Sequence, residues 1–148
     1  MPPGWRFRAC APSRRSIPEV DRVLVSVGAF AALLGVAMGA FAAHGLESRL
    51  LDLGYAEVFE TAVRYHMWHA LGLILIGALH KQRPTLYLAW AGWLMAFGVV
   101  LFSGSLYILA LSGETGWGAV APIGGTAFLM AWLLVALGVL LPSDLSDV

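Results

Sequence analysis

Uncharged, mainly apolar residues run without a break from Val23 to Ala43, from Leu86 to Leu111 and from Ala119 to Leu141. Each run meets the roughly 18 to 20 residues that a helix rising about 1.5 Å per residue needs to cross a hydrocarbon core. A fourth run, Tyr65 to His80, is shorter, but Arg64 and Lys81 at its ends can reach opposite interfaces and let it span. The pattern predicts four transmembrane helices, over about 23–44, 64–81, 86–111 and 119–141. Short connections force neighbours antiparallel, so the expected fold class is all-α, an integral membrane four-helix bundle with up-down topology. Residues 1–22 read as a basic N-terminal tail and 142–148 as a short acidic C-terminal tail.

Between the first two runs, Leu46, Leu50, Leu51 and Leu53 alternate with Glu47, Arg49 and Asp52. This spacing suits a short helix lying on the membrane surface. Glu60 and Arg64 follow four residues apart with the acid first, the better order for a helical pair, on what reads as a solvated surface.

Composition supports lipid as the solvent: 59% of the residues are hydrophobic and 12% charged, against a charged share of roughly a quarter in globular chains. The bilayer is the expected partner, with a second copy or another membrane protein as further candidates. The net charge of zero and the scattered basic residues argue against nucleic acid. Cys10 is the single cysteine, so no intrachain disulfide or cysteine metal cluster can form.

Arg6, Arg8, Arg14, Arg15 and Arg22 precede the first span, and Lys81 and Arg83 occupy the second connection. Only Arg49 and Arg64 fall on the other side. That asymmetry places both termini in the cytoplasm and the chain in a bacterial inner membrane. The tail has competing readings. Ser13 to Ser16, SRRS, resembles part of a twin-arginine signal, and Ala40 to Ala42 has the spacing of a cleavage site, yet the apolar run before it is longer than a usual signal core. A start at Val20 would instead place the initiator directly before the first span.

Laid antiparallel, all four spans put their polar or backbone-irregular residues in the outer third. These are His44 at the end of the first, Tyr65, His66 and His69 in the second, Ser103, Ser105 and Tyr107 in the third, and Pro122, Gly124, Gly125 and Thr126 in the fourth. The spans hold no mid-membrane Asp, Glu, Lys or Arg, which argues against a proton-coupled carrier. His44, His66 and His69 suggest a metal or haem site, but the third and fourth spans add neither histidine nor carboxylate, so no cofactor is expected. Hydrogen bonds from these histidines to Ser103, Ser105 or Tyr107 are the plainer expectation.

Gly35 and Gly39 form a GxxxG motif, and Gly28 and Ala32 extend its face. The motif permits close helix approach, either within the chain or between copies. Pro122, Gly124 and Gly125 can be read as a broken transporter helix or, more simply, as a proline in a first helical turn. Trp68, Trp90, Trp93, Trp117 and Trp132 read mostly as interfacial anchors near span ends.

In order, GAFAAHGL at Gly39–Leu46, AVRYHMWHALGL at Ala62–Leu73, LFSGSLYILAL at Leu101–Leu111 and APIGGTAFLMAWLL at Ala121–Leu134 resemble the YgdD-like family of small bacterial inner-membrane proteins, which has eukaryotic transmembrane counterparts. The resemblance runs from Asp21 to about Leu141. It implies a four-helix membrane protein of unknown function whose members start close to the first helix. Its pattern falls on Gly39, His44 and Gly45, on Tyr65, His69 and Ala70, on Ser103, Gly104, Ser105 and Tyr107, and on Pro122, Gly124 and Gly125. His66 departs from it, since the family often carries glutamine there. On this reading Gly39–Leu46 is the outer end of the first helix, with His44 facing the polar cluster and Gly45 adopting a left-handed backbone.

Three functions compete. One is a non-catalytic bundle acting in membrane assembly or as a partner in a complex. The second binds or transports a small amphipathic ligand in an outer pocket formed by His44, His69, Ser103, Ser105 and Tyr107. The third, a histidine metal or redox enzyme, lacks an apparent ligand set and catalytic group.

Overall fold

The computed structural model describes residues 19–141. The arginine-rich tail with Cys10 and the acidic C-terminal tail lie outside the described residues. Those described form helices and turns: α1 (Glu19–His44), α2 (Glu47–Leu53), α3 (Ala56–Gln82), α4 (Leu86–Gly98), a π-helical segment (Val99–Ser103), α5 (Gly104–Ser112), a 3-10 turn (Thr115–Ala119) and α6 (Ala121–Leu140). Because α4, the π segment and α5 run on as one rod, four helices are long and apolar enough to cross a membrane. The fold is the all-α membrane bundle that the four apolar runs imply.

Helix boundaries follow local chemistry. Glu19 and Asp21 occupy the first turn of α1, where carboxylates oppose the positive end of the helix dipole, so the last residues of the predicted tail are helical. Gly54 and Gly113 end α2 and α5 with φ of 73° and 78°, the left-handed conformation that glycine adopts without a Cβ penalty. Pro84 follows α3, and the Thr85 hydroxyl caps α4 by accepting from Leu88 N at 3.2 Å. Pro122 stands in the first turn of α6, where its missing N–H costs no intrahelical bond.

Three expectations need correction. The second membrane helix begins at Ala56, well before residue 64, because the polar stretch Glu57–Thr61 is invisible to hydropathy while Phe59 and Ala62 are fully buried. Gly45 is not left-handed: among the described residues only Gly54 and Gly113 have positive φ. The chain instead leaves α1 with Gly45 N and Leu46 N both bonded to Phe41 O, and a two-residue link leads straight into α2. Trp132 lies well inside α6 with an exposed side chain, so it is not an end anchor.

Helix α1 packs chiefly on α3, and α4 on α6, while α3 also contacts α4, the π segment and α5. In lipid the drive for such pairing is close van der Waals contact, since tails are as apolar as leucine. A Cβ on Gly28 would meet Ala70 O at 2.8 Å, and one on Gly35 would meet Met67 Sδ at 2.5 Å. The glycine face of α1 is therefore consumed inside the chain against α3. The main core joins Leu24, Leu73, Ile76, Leu88, Met95 and Phe128, and a smaller outer cluster joins Leu50, Phe59 and Ala110.

Candidate functional site

The outer polar residues divide into a packed group and a group that borders open space. In the first, His69 Nδ1–H donates to Tyr65 O at 2.7 Å, one turn back along α3. Its ring stacks on Phe128 with centroids 3.4 Å apart and planes 11° from parallel. Tyr65 packs on Phe102 at 4.6 Å, and Phe102 on Phe128 at 5.6 Å. Ser105 Oγ donates to Phe102 O at 3.0 Å, while the buried Ser103 Oγ finds no partner among the described residues. These side chains fill the seam between α3, the π segment and α6.

The second group is His66 and Tyr107. His66 Nδ1 and the Tyr107 hydroxyl lie 3.2 Å apart, with the donor set by the imidazole tautomer. Both border a cleft of about 460 Å³ between α1 and the third span, walled by Phe30, Ala31, Leu34, Leu73, Val99 and Val100. His66, Leu73 and Val99 are buried at its floor, and Phe30, Leu34 and Val100 are exposed at its rim. Gly104 also borders it, with nothing within 4 Å of where a Cβ would stand. The π segment forms one wall, and such bulges recur at functional sites. The cleft is apolar apart from one hydrogen-bonding pair, so it can hold a lipid-soluble molecule and fix a single polar group on it.

Not every residue drawn to this cluster by its level in the membrane joins it. His44 is exposed at the end of α1, away from the His66–Tyr107 pair, because the α1 face turned to α3 is the glycine face. Thr126 is exposed and its hydroxyl bonds back to Pro122 O and Ile123 O, each at 2.8 Å. Gly39 and Gly124 serve as packing positions against Val63 and Phe102 respectively, whereas a Cβ at Gly125 would meet only the Phe102 ring, at 3.8 Å. Of the expected outer pocket of His44, His69, Ser103, Ser105 and Tyr107, only Tyr107 borders the cleft beside His66, and the other four line neither that cleft nor the cavity at the junction of α1, α2 and α3. Among the described residues, no group of three or more His, Cys, Asp or Glu gathers as a metal-ligand set.

Sequence reading undervalued His66 because of its family departure; a glutamine there could also bond a tyrosine, which was the available signal. At the opposite end of the bundle the start of α1 meets the end of α3, where a Cβ at Gly77 would stand 2.9 Å from Asp21 O. Asp21 and His80 are both buried there, at 8% and 4% exposure. Asp21 Oδ1 and His80 Nδ1 lack hydrogen-bond partners among the described residues. Nearby, Arg83 donates to Val139 O and Leu141 O at 2.7 and 2.8 Å, and at the outer end Arg49 donates to Leu111 O at 2.7 Å.

A family model described as "Protein of unknown function (DUF423)" matches residues 38–125, which contain all four histidines and the whole π segment. The chain is 46% identical over 115 residues to the UPF0382 membrane protein YwdK of Bacillus subtilis, covering 77% of this chain and 93% of that protein. It is 44% identical over 119 residues to the UPF0382 membrane protein SERP0230 of Staphylococcus epidermidis, covering 80% and 96%. It is 47% identical over 114 residues to the UPF0382 membrane protein SH2409 of Staphylococcus haemolyticus, covering 77% and 92%. No solved structure matches. Four apolar helices arranged around these motifs, and relatives aligned over nearly their full length, lead to one assignment: the chain is an integral membrane protein of the DUF423 family, a family of unknown function.

Proposed function

We propose that the protein is a non-catalytic membrane protein that binds a lipid-soluble ligand carrying one hydrogen-bonding group, in the cleft between α1 and the third span. The observation that carries this reading is the His66–Tyr107 pair at 3.2 Å, on the wall of an otherwise apolar cavity of about 460 Å³. That volume falls in the range of roughly 300 to 1,000 Å³ usual for small-ligand sites. The exposed rim would let a ligand enter sideways from the bilayer.

Gly104→Leu supplies the test, because its backbone is ordinary right-handed helix, with φ −59° and ψ −47°, and open space receives the new side chain. Native mass spectrometry of protein released from its own membranes in mild detergent should show a bound small molecule that Gly104→Leu loses while keeping its thermal stability. A bare wild-type chain, or an adduct unaffected by the substitution, would sink this reading.

The competing reading, a partner in membrane assembly or a homo-oligomer, is favoured by the peripheral position of α1, whose Leu33, Val36 and Phe41 are exposed. Crosslinking in native membranes that trapped a second chain through these positions would support it. For location we infer a bacterial inner membrane with both termini cytoplasmic. Arg22, Lys81 and Arg83 lie at one end of the bundle and Arg49 and Arg64 at the other, and the tail arginines add to the first group. Cysteines placed at Glu114 and Gln82 should be labelled from outside and inside respectively; the reverse pattern would invert the topology.

A further inference from the structure

A second cavity, of about 560 Å³, lies at the outer surface where α1, α2 and α3 meet, and shares no lining residue with the lateral cleft. Its construction differs. Ala42 and Ala43 of α1, Leu50 of α2, and Phe59 and Val63 of α3 supply apolar walls, while Glu47, Glu60 and Arg64 supply charge. Leu50 and Phe59 are buried and the three charged side chains exposed, so an apolar floor lies under a charged margin. Arg64 stands eight residues into α3, roughly 12 Å along the helix axis from its start.

We propose that this cavity binds a zwitterionic phospholipid whose headgroup carries a phosphate and a primary ammonium. The Arg64 guanidinium has the planar donor fork that recognises a phosphate. Glu47 and Glu60 accept from the ammonium, whose N–H groups they can each engage. Two carboxylates against one guanidinium make the margin net negative, so an anionic lipid is repelled, while a quaternary ammonium has no N–H to donate. The small side chains of Ala42 and Ala43 leave room above Leu50 and Phe59 for the glycerol and first methylenes of the acyl chains. Arg49 donates to Leu111 O at 3.2 and 2.7 Å, tying α2, which carries Glu47 and Leu50, to the end of α5. A phospholipid held in the cavity would join α1, α2 and α3 at the membrane surface.

Native mass spectrometry in mixed micelles tests this, with delipidated full-length protein offered phosphatidylethanolamine, phosphatidylcholine and phosphatidylglycerol in equal amounts. The ethanolamine lipid should be retained over the other two by about tenfold, the ratio expected when one charge-assisted hydrogen bond is gained. The Glu47→Gln/Glu60→Gln double variant should abolish that preference, Arg64→Gln should weaken retention of all three phosphate-bearing lipids with Arg64→Lys keeping part of it, and Gly104→Leu should leave retention and preference intact. All four variants change exposed or open positions, and unchanged melting temperatures confirm the fold. Equal retention of the three lipids, a preference that survives Glu47→Gln/Glu60→Gln, or retention unmoved by Arg64→Gln would overturn the proposal. So would competition by water-soluble glycerophosphoethanolamine at equal strength, which would assign the cavity to a soluble phosphate compound. Because Gly104→Leu acts only on the lateral cleft, failure there leaves this result independent.

Discussion

Gly124 of α6 lies directly over the backbone of Phe102 in the π segment: a Cβ at Gly124 would approach Phe102 N closely and stand 2.8 Å from its Cα. The fourth span thus rests on main chain where the third span departs from regular α-helix. Phe102 in turn sets Tyr65 and Phe128 around His69, so one absent methyl group positions the packed half of the outer polar region.

Replacing Gly124 by alanine should therefore destabilise the protein by about 1 to 3 kcal/mol, the range for forcing an extra group into a packed core. Gly125→Ala should do far less, since its Cβ would meet only the Phe102 ring at 3.8 Å. Thermal unfolding of both variants in the same detergent checks the contrast. Equal effects would mean that the close approach is absent.

His66 and Tyr107 should be energetically coupled. A cycle of His66→Ala, Tyr107→Phe and the double variant should give an interaction energy of about 0.6 to 2 kcal/mol, as found for interhelical hydrogen bonds in membranes. His66→Gln should preserve much of it, because an amide can also bond the phenol. A coupling energy of zero is the result that removes this hydrogen bond from the argument.

Arg83 ties the connection after α3 to the end of α6, where Val139 O and Leu141 O are its acceptors. Carbonyls at a helix C-terminus have no intrahelical partner. Arg83→Gln should loosen the last turn of α6 and raise amide hydrogen exchange near Leu140 while leaving the outer end of α6 unchanged. Exchange rising equally along the whole helix would indicate global destabilisation instead.

Asp21 and His80 should show less than additive losses. Asp21 Oδ1 and His80 Nδ1 are already without hydrogen-bond partners among the described residues, so what either single substitution removes is any attraction between the two groups. The double variant loses that shared attraction only once. The Asp21→Ala/His80→Ala variant should consequently unfold at a temperature close to that of the worse single variant, and strict additivity would show the two groups to be independent.

The four membrane helices were legible because crossing a bilayer requires long apolar runs with internally satisfied backbones. The short surface helix at Glu47–Leu53 could be read for a related reason, since its leucines and charges alternate at helical spacing. Membrane level could also be read from position along each span, which is why His66, His69, Ser103 and Tyr107 were expected near one another.

Level alone does not determine which way a side chain faces. Rotation of α1 onto its glycine face exposes His44, and Thr126 turns back on its own helix, because packing of small residues decides azimuth in a medium where apolar surface gains nothing by burial. Only the tertiary structure paired His66 with Tyr107, sealed His69 against Phe128, and brought Asp21 to His80 from opposite ends of the first two spans. Only it, too, opened two cavities of different chemistry. A cavity is space left between helices, and its shape depends on contacts far apart in the chain. The sequence by itself determined that the chain is a four-helix membrane protein and which residues share a depth; the packing of α1 on α3, and of α6 over the π segment, decided which of them face open space.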